Sequence, residues 1–472
     1  MGRNLQRAVF ERVDARRALV NAMSEVLERD ADSAEKQRVL RVQVPAGDVE
    51  PLRWLGSQTM RPRSFWAGRE DGTTVAAVGI ADLVESDGAP GAPQRERLAP
   101  LSPASGEARY YGGLRFDPAG RDEEEWEEFE AYRFVLPRFE LTSRDNETTL
   151  ACNLVMPRDA ARAEELLDEV ESLSLPEGQE APLVNESSLP VPISRSDAPD
   201  REGWGESVET ALRAFSSGKM EKVVFARRVG FRFEDDLDPV ALLEGLRDAT
   251  PGCFHFLVEP EEGIAFVGAS PERLFRRDGR GILSEAVAGT RPRGASALDD
   301  TELGEELLGS AKDQAEHSFV RVGIRESLGP LCEDLAVDDR ASEMKLARGR
   351  HLVSRIRGTL REGVADGEVL AALHPTPAVG GYPKETALEE IRALEPFDRG
   401  WYAGPVGWLG ADGAEFAVGI RSGLVRGDTL ALYSGAGIVE GSTPEGEWAE
   451  IEQKIGDFTG MFELDPAEHP EP

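Results

Sequence analysis

In the C-terminal segment GEWAEIEQKIGDFTGMF, Trp448, Ile451, Ile455 and Phe458 recur at steps of three, four and three, the spacing of a core-facing helical stripe. Glu447, Glu450 and Lys454 share the neighbouring stripe, so acid and amine lie on one flank of the same helix. Such a flank could serve a site, or it could hold the ordinary i,i+4 salt bridge between Glu450 and Lys454. A second acidic face lies in TELGEELLGSAKDQAEHSFVRVGIRESL, read as one long helix over 300–328, where Asp313 and Glu316 project to the same side beside His317. Mg²⁺ takes oxygen ligands, usually one or two carboxylates completed by water and substrate. Glu316 from one helix and Glu450 from another could supply that pair; in a chain with 88 carboxylates a solvated acidic face is the competing reading.

Lys222 opens the strand-like run KVVFARR among apolar neighbours, and Glu272 follows the strand-like run GIAFVGA in SPERLF. A lysine desolvated by such neighbours can act as a base, and a carboxyl held in a less polar pocket can act as an acid. A strand-edge surface lysine and a local ion pair are the competing readings. AVAGTRPRG offers Gly289 and Thr290 at an expected turn, GIRSG offers Arg421 between glycines, and YSGAG offers Gly435 in a Gly-rich turn before the last helix. Arginine is the natural bidentate partner of a planar carboxylate. A substrate with two carboxylates would account for several separated anion sites in a protein of net charge −34.

These residues need positioning elements, and the chain is long enough to supply them. Its 472 residues can bury a large core without staples, and 40% hydrophobic with 30% charged residues is a globular balance. Stretches that read as helices and strands alternate throughout, which implies a mixed α/β body. The charge of −34 makes nucleic acid and anionic membranes poor partners, and no apolar run approaches a membrane span. Three widely spaced cysteines and a charged N-terminal segment, MGRNLQRAVFERVDARR, fit a cytoplasmic protein. The acidic excess and the seven lysines fit either a high-salt proteome or codon bias. The Pro-rich stretches 85–109 and 175–204 read as loops, and the second marks the main internal boundary.

Taken together, KVVFARR, SPERLF, AVAGTRPRG, KDQAEHSFV, HLVSRIRG, LHPTPAVGGYPKETALEEIRALEPFDRGWYAGPVGW, FAVGIRSG and YSGAGIVEGSTPEGEWAEIEQK resemble the chorismate-utilising enzymes over residues 204–464. FWAGREDG, RYYGGLRFDP and FVLPRFEL resemble the family's variable N-terminal half more loosely. The resemblance implies an α+β fold of large, mainly antiparallel sheets with helices outside, divided as 1–200, 204–464 and a tail at 465–472. It implies Mg²⁺ held by Glu316 and Glu450 with Asp313 auxiliary, Lys222 as the base that activates water, and Glu272 as the acid that protonates the leaving hydroxyl. It assigns Arg421, Gly435, Lys454, Gly289 and Thr290 to the substrate carboxylates and His351 to the vicinity of the ring. Thr376 and Tyr402 are expected to line the ring pocket.

Two positions discriminate within that resemblance. Aminodeoxychorismate synthases carry a lysine nucleophile where this chain has Ala288, so no amine is available for covalent attack. Anthranilate synthases use ammonia and typically lack a lysine at the position of Lys222, which points here to water. HPTPAVGGYPK favours the isochorismate synthase pattern over that of salicylate synthases. The expected activity is therefore isochorismate formation from chorismate, with no glutaminase subunit and menaquinone biosynthesis as the favoured route.

Overall fold

The architecture is set by antiparallel ladders that draw strands from both ends of the chain into one continuous network. A computed structural model describes residues 14–30, 38–70, 72–86, 107–120, 123–176, 190–347 and 349–460. One branch runs, in spatial order, through Arg38–Pro45, Glu147–Met156, Tyr132–Arg144, Thr74–Glu85, Arg63–Ala67, Phe254–Glu261, Ile264–Ser270, Ser422–Arg426, Thr429–Ile438 and Lys222–Arg232. A second branch leaves Tyr132–Arg144 through Arg109–Leu114 and continues along Pro405–Gly410, Gly413–Val418, Arg273–Asp278, Gly281–Pro292 and Gly349–Leu360. All of these ladders are antiparallel, as the expected fold class requires.

Antiparallel strands need only short links, which is why Gly-rich turns can join Gly413–Val418 to its neighbour and Ser422–Arg426 to Thr429–Ile438. Aromatic side chains fill the space where the branches meet. Trp126 packs on Phe129, Phe266 and Tyr433, Phe129 and Phe266 meet Trp401, and Phe416 meets both Phe134 and Phe275. Strands on either side of residue 200 are thus neighbours: Arg63–Ala67 pairs with Phe254–Glu261, and Arg109–Leu114 with Pro405–Gly410. Most of the loop expected at 85–109, the heart of that expected at 175–204 and the 465–472 tail lie outside the described residues.

Two helices matter most for the site, and each lies along a different branch. Ala311–Leu328 packs on Gly281–Pro292, and Pro444–Thr459 packs on Thr429–Ile438. Thr443 caps the latter by accepting from the Gly446 amide, with Pro444 in the first turn where its missing N–H costs nothing. As expected, Ile451, Ile455 and Phe458 are buried, whereas Trp448, the first member of that stripe, is only partly buried, with the Arg227 guanidinium over its ring. The single helix expected over 300–328 is instead two, Ala297–Gly309 and Ala311–Leu328. Ser310 takes an extended conformation between them, and its hydroxyl accepts from the Asp313 amide. Serine competes well for such a capping role, so a helical pattern that runs on in sequence is cut and re-aimed here.

Candidate active site

A cleft opens between the two helices and the strand ends beneath them. Its wall includes Glu272, Ala288, Gly289, Thr290, Asp313, Glu316, His351, Arg421, Gly435, Glu450 and Lys454. Eleven positions scattered over 183 residues of sequence thereby face one volume. Lys312 at the start of one helix reaches Glu447 on the other at 3.1 Å, so the helices are tied across the cleft.

Glu272 sits between the strands Ile264–Ser270 and Arg273–Asp278, fully in the interior. Burial pushes its carboxyl up to about 8; Glu285 adds to this, while Lys222 and Lys454 pull the other way. A carboxyl that keeps its proton at neutral pH is a proton donor. Lys222 begins Lys222–Arg232 and is completely buried, so the surface-lysine reading fails. It lies just behind the cleft wall, with its Nζ 3.0 Å from Oε1 of Glu316.

Glu316 and Asp313 share a face of Ala311–Leu328, but their partners differ. Glu316 turns to Lys222, whereas Asp313 accepts from Arg291 at 2.9 Å. Glu450 is paired with Lys454 at 2.7 Å, and chiefly this neighbour holds its carboxyl below the usual range against the opposing effect of burial. The i,i+4 salt bridge therefore exists, and it stands in the cleft wall. Lys454 also donates to the Gly435 carbonyl at 2.8 Å, which fixes its ammonium against the strand.

Gly289 and Thr290 lie inside Gly281–Pro292 and not at a turn. Gly289 has φ +69° at a register shift between Ala288 and Thr290, and a Cβ there would come within 3.1 Å of Asp313. This bulge aims the Gly289 carbonyl and the Thr290 hydroxyl at Nδ1 of His351, 3.0 and 3.1 Å away. Burial lowers the His351 imidazole to about 4, so the ring is neutral; the carbonyl fixes the proton on Nδ1, leaving the buried Nε2 as an acceptor with no hydrogen-bond partner among the described residues. Gly435 likewise is a strand residue within Thr429–Ile438, not part of a turn, and lies opposite Tyr402.

Thr376 and Tyr402 do not join the cleft wall. Thr376 is buried in the loop before Gly381–Tyr382, where its hydroxyl accepts from the Ala378 amide. Tyr402 stacks on Tyr433 at 5.3 Å, behind Gly435. Both were expected to line the ring pocket alongside the family resemblance, and residue type does not report which face of a loop a side chain takes. His317 is a core residue whose Nε2 lies 3.2 Å from the Ala286 carbonyl.

Sequence reasoning passed over three contributors. Gly437 leaves room for the Lys222–Glu316 pair, since a Cβ there would lie 2.5 Å from Glu316 Oε1 and 3.2 Å from Lys222 Cε. Its position two residues after Gly435 in a strand was the available signal. Lys312 was hidden among the charges of its helix. Arg399 donates to the Val224 and Val379 carbonyls at 2.7 and 2.9 Å, and its buried partner Glu395 accepts from the Ala226 amide at 2.7 Å. That pair locks the start of the Lys222 strand to the PTPAVGG loop.

The chorismate binding enzyme family matches residues 22–463, and the chain belongs to that family. It is 36% identical to isochorismate synthase 2, chloroplastic, of Arabidopsis thaliana, covering 92% of this chain and 82% of that one. It is 30% identical to isochorismate synthase MenF of Escherichia coli, covering 91% and 94%. The solved structure of MenF, described as the menaquinone-specific isochorismate synthase from Escherichia coli, superposes with a TM-score of 0.79 at 29% identity over 94% of this chain and all of that one. By these likenesses the chain is an enzyme of the isochorismate synthase type. Anthranilate synthase component I from Streptococcus pneumoniae, at 20% identity and a TM-score of 0.64, shares the fold. No helix among the described residues is long and apolar enough to cross a membrane.

Proposed function

We propose that this protein converts chorismate to isochorismate, with Mg²⁺ bound in the cleft, and that it serves menaquinone biosynthesis. The observation that carries the reading is the juxtaposition of a protonated, buried Glu272 with Lys222 beneath the same cleft. Lys222 takes a proton from water as the water oxygen bonds to C2 of the ring. The ring double bonds shift, the C4–O bond breaks, and Glu272 gives its proton to the departing hydroxyl, which leaves as water. One water enters and one leaves, so substrate and product are isomers. Before it can act, Lys222 must be an amine, whereas its present neighbour Glu316 suits an ammonium.

The donor set fits a hard divalent cation. Glu316 and Glu450 both face the cleft, and each is presently countered by a lysine ammonium. Among the described residues no three His, Cys, Asp or Glu side chains gather as a metal cage. Two carboxylates completed by substrate oxygens and water match the way Mg²⁺ is usually held. When bound, the cation supplies positive charge for the ring carboxylate. Arg421, Lys454 and the polar groups around Gly289 and Thr290 are placed to bind the substrate's carboxylates, and neutral His351 offers Nε2 to a hydroxyl.

Ala288 in the wall supports water over an enzymic amine as nucleophile. Menaquinone as destination rests on similarity to MenF. The test is product analysis by mass spectrometry after incubation with chorismate, with and without Mg²⁺. Isochorismate alone is expected. Salicylate with pyruvate would assign the chain to the salicylate synthase reaction, and untouched chorismate would refute enzymatic activity on this substrate.

A further inference from the structure

Directly behind Glu272 lies a set of ion pairs that the reaction itself does not use. Arg69, from the FWAGRE segment in the N-terminal half, donates from Nη1 to the Pro271 carbonyl at 2.7 Å, one residue before Glu272. Its Nη2 donates to both oxygens of Glu285 at 2.7 and 2.9 Å. Arg273, one residue after Glu272, donates to Glu285 at 3.0 Å, to Glu415 at 3.1 Å and to Glu70 at 3.3 Å. Arg273, Glu285 and Glu415 are almost wholly buried, while Glu70 is half-exposed. Burial opposes ionisation of Glu70, yet Arg69 and Arg273 hold its carboxyl down to about 2, so it is an anion. Two guanidiniums thus face three carboxylates, and the network carries one negative charge in excess.

Buried ion networks of this size are costly to desolvate, and an apolar filling would often serve stability as well. An uncompensated negative charge behind a carboxylic acid has a distinct consequence: it disfavours the carboxylate. We propose that Arg69, Glu70, Arg273, Glu285 and Glu415 form a built counter-charge that keeps Glu272 in its acid form, so that the N-terminal half of the chain helps set the proton donor. Glu285 is the effective member, because its charge acts on Glu272 directly. Lys222 and Lys454 oppose it, and the wider cleft adds Arg421, Lys312, Glu316 and Glu450. Against two nearby ammonium groups, burial alone would have to hold the proton; the network sides with burial. Arg69 and Glu285 are positioning residues, since neither lines the cleft.

This inference rests on Glu272 being the acid of the reaction, and the test separates the two. The alkaline limb of kcat/KM against pH is measured for the full-length enzyme and for Glu285→Gln and Arg69→Gln, with thermal unfolding recorded for each. Glu285→Gln removes the excess negative charge and moves the limb to lower pH, by about half a unit or more. Arg69→Gln increases the excess and moves the limb to higher pH. A merely structural role would lower rate or stability without opposite displacements of the limb. Unmoved limbs, or limbs displaced in the same direction, overturn the counter-charge. If Glu285→Gln does not fold, Glu70→Gln at the half-exposed end removes the same unit charge and is expected to move the limb downward by less; an unmoved limb there overturns the proposal equally. Retained activity in Glu272→Gln would instead overturn the acid assignment itself.

Discussion

Lys222 Nζ and Glu316 Oε1 lie 3.0 Å apart, so the residue proposed as base and the residue proposed as metal ligand form one ion pair at the edge of the cleft. The two proposed roles are therefore coupled through a single contact. Removing one partner leaves the other charge without its counterpart in a poorly solvated place, a loss of about 3 kcal/mol in comparable buried pairs. Glu316→Ala is expected to lower the unfolding temperature and abolish turnover. Lys222→Met combined with Glu316→Leu should regain the stability while remaining inactive. A double variant no more stable than Glu316→Ala would show that the pair does not govern folding.

Glu272 is raised to about 8 in the folded protein from an ordinary carboxyl value of 4.5. The fold thus favours the protonated form, and the corresponding stability is complete below about 4.5 and is lost as pH rises through about 8. Activity should fall along the same alkaline limb, because a carboxylate cannot donate. Glu272→Gln should cut turnover by about 10² to 10⁴ while making stability less sensitive to pH between about 4.5 and about 8. Calorimetry across that range is the check; an unchanged pH dependence of stability would remove Glu272 as the group responsible.

Gly437→Ala adds a single methyl 2.5 Å from Glu316 Oε1. Glu316 must move, and the Lys222 pair with it. The expected result is an inactive enzyme with weakened Mg²⁺ binding by isothermal titration and a nearly unchanged far-ultraviolet circular dichroism spectrum. Wild-type Mg²⁺ affinity in this variant would detach Glu316 from the metal.

Glu450→Ala leaves Lys454 tied to the Gly435 carbonyl but removes a carboxylate from the cleft. Activity and its dependence on Mg²⁺ should disappear together. An Mg²⁺ titration indistinguishable from that of the parent would place the ion elsewhere.

The net charge of −34 implies self-repulsion that dissolved ions screen within about 10 Å at 0.1 M salt. The unfolding temperature is expected to climb from low to high ionic strength. A flat profile would mean that the many Arg–carboxylate pairs already balance the surface.

What the sequence by itself determined is local. Periodic apolar residues marked helices and strands, among them the stripe of Ile451, Ile455 and Phe458, whereas the start of that helix at Thr443 and Pro444 emerged only in the fold. Residue types at Lys222, Glu272, Glu316 and Glu450, read through a family resemblance, named the chemistry. Tertiary structure alone decided which side chains share a volume, because antiparallel pairing brings Gly281–Pro292 beside Gly349–Leu360 and lays Thr429–Ile438 along Lys222–Arg232 across gaps of many residues. That is why the cleft gathers His351 to the Gly289 bulge but leaves Thr376 and Tyr402 behind its wall. It is also why Arg69 and Glu285, unremarkable charges in the chain, stand behind the acid: burial and neighbouring charge are properties of the folded surroundings, and residue type carries neither.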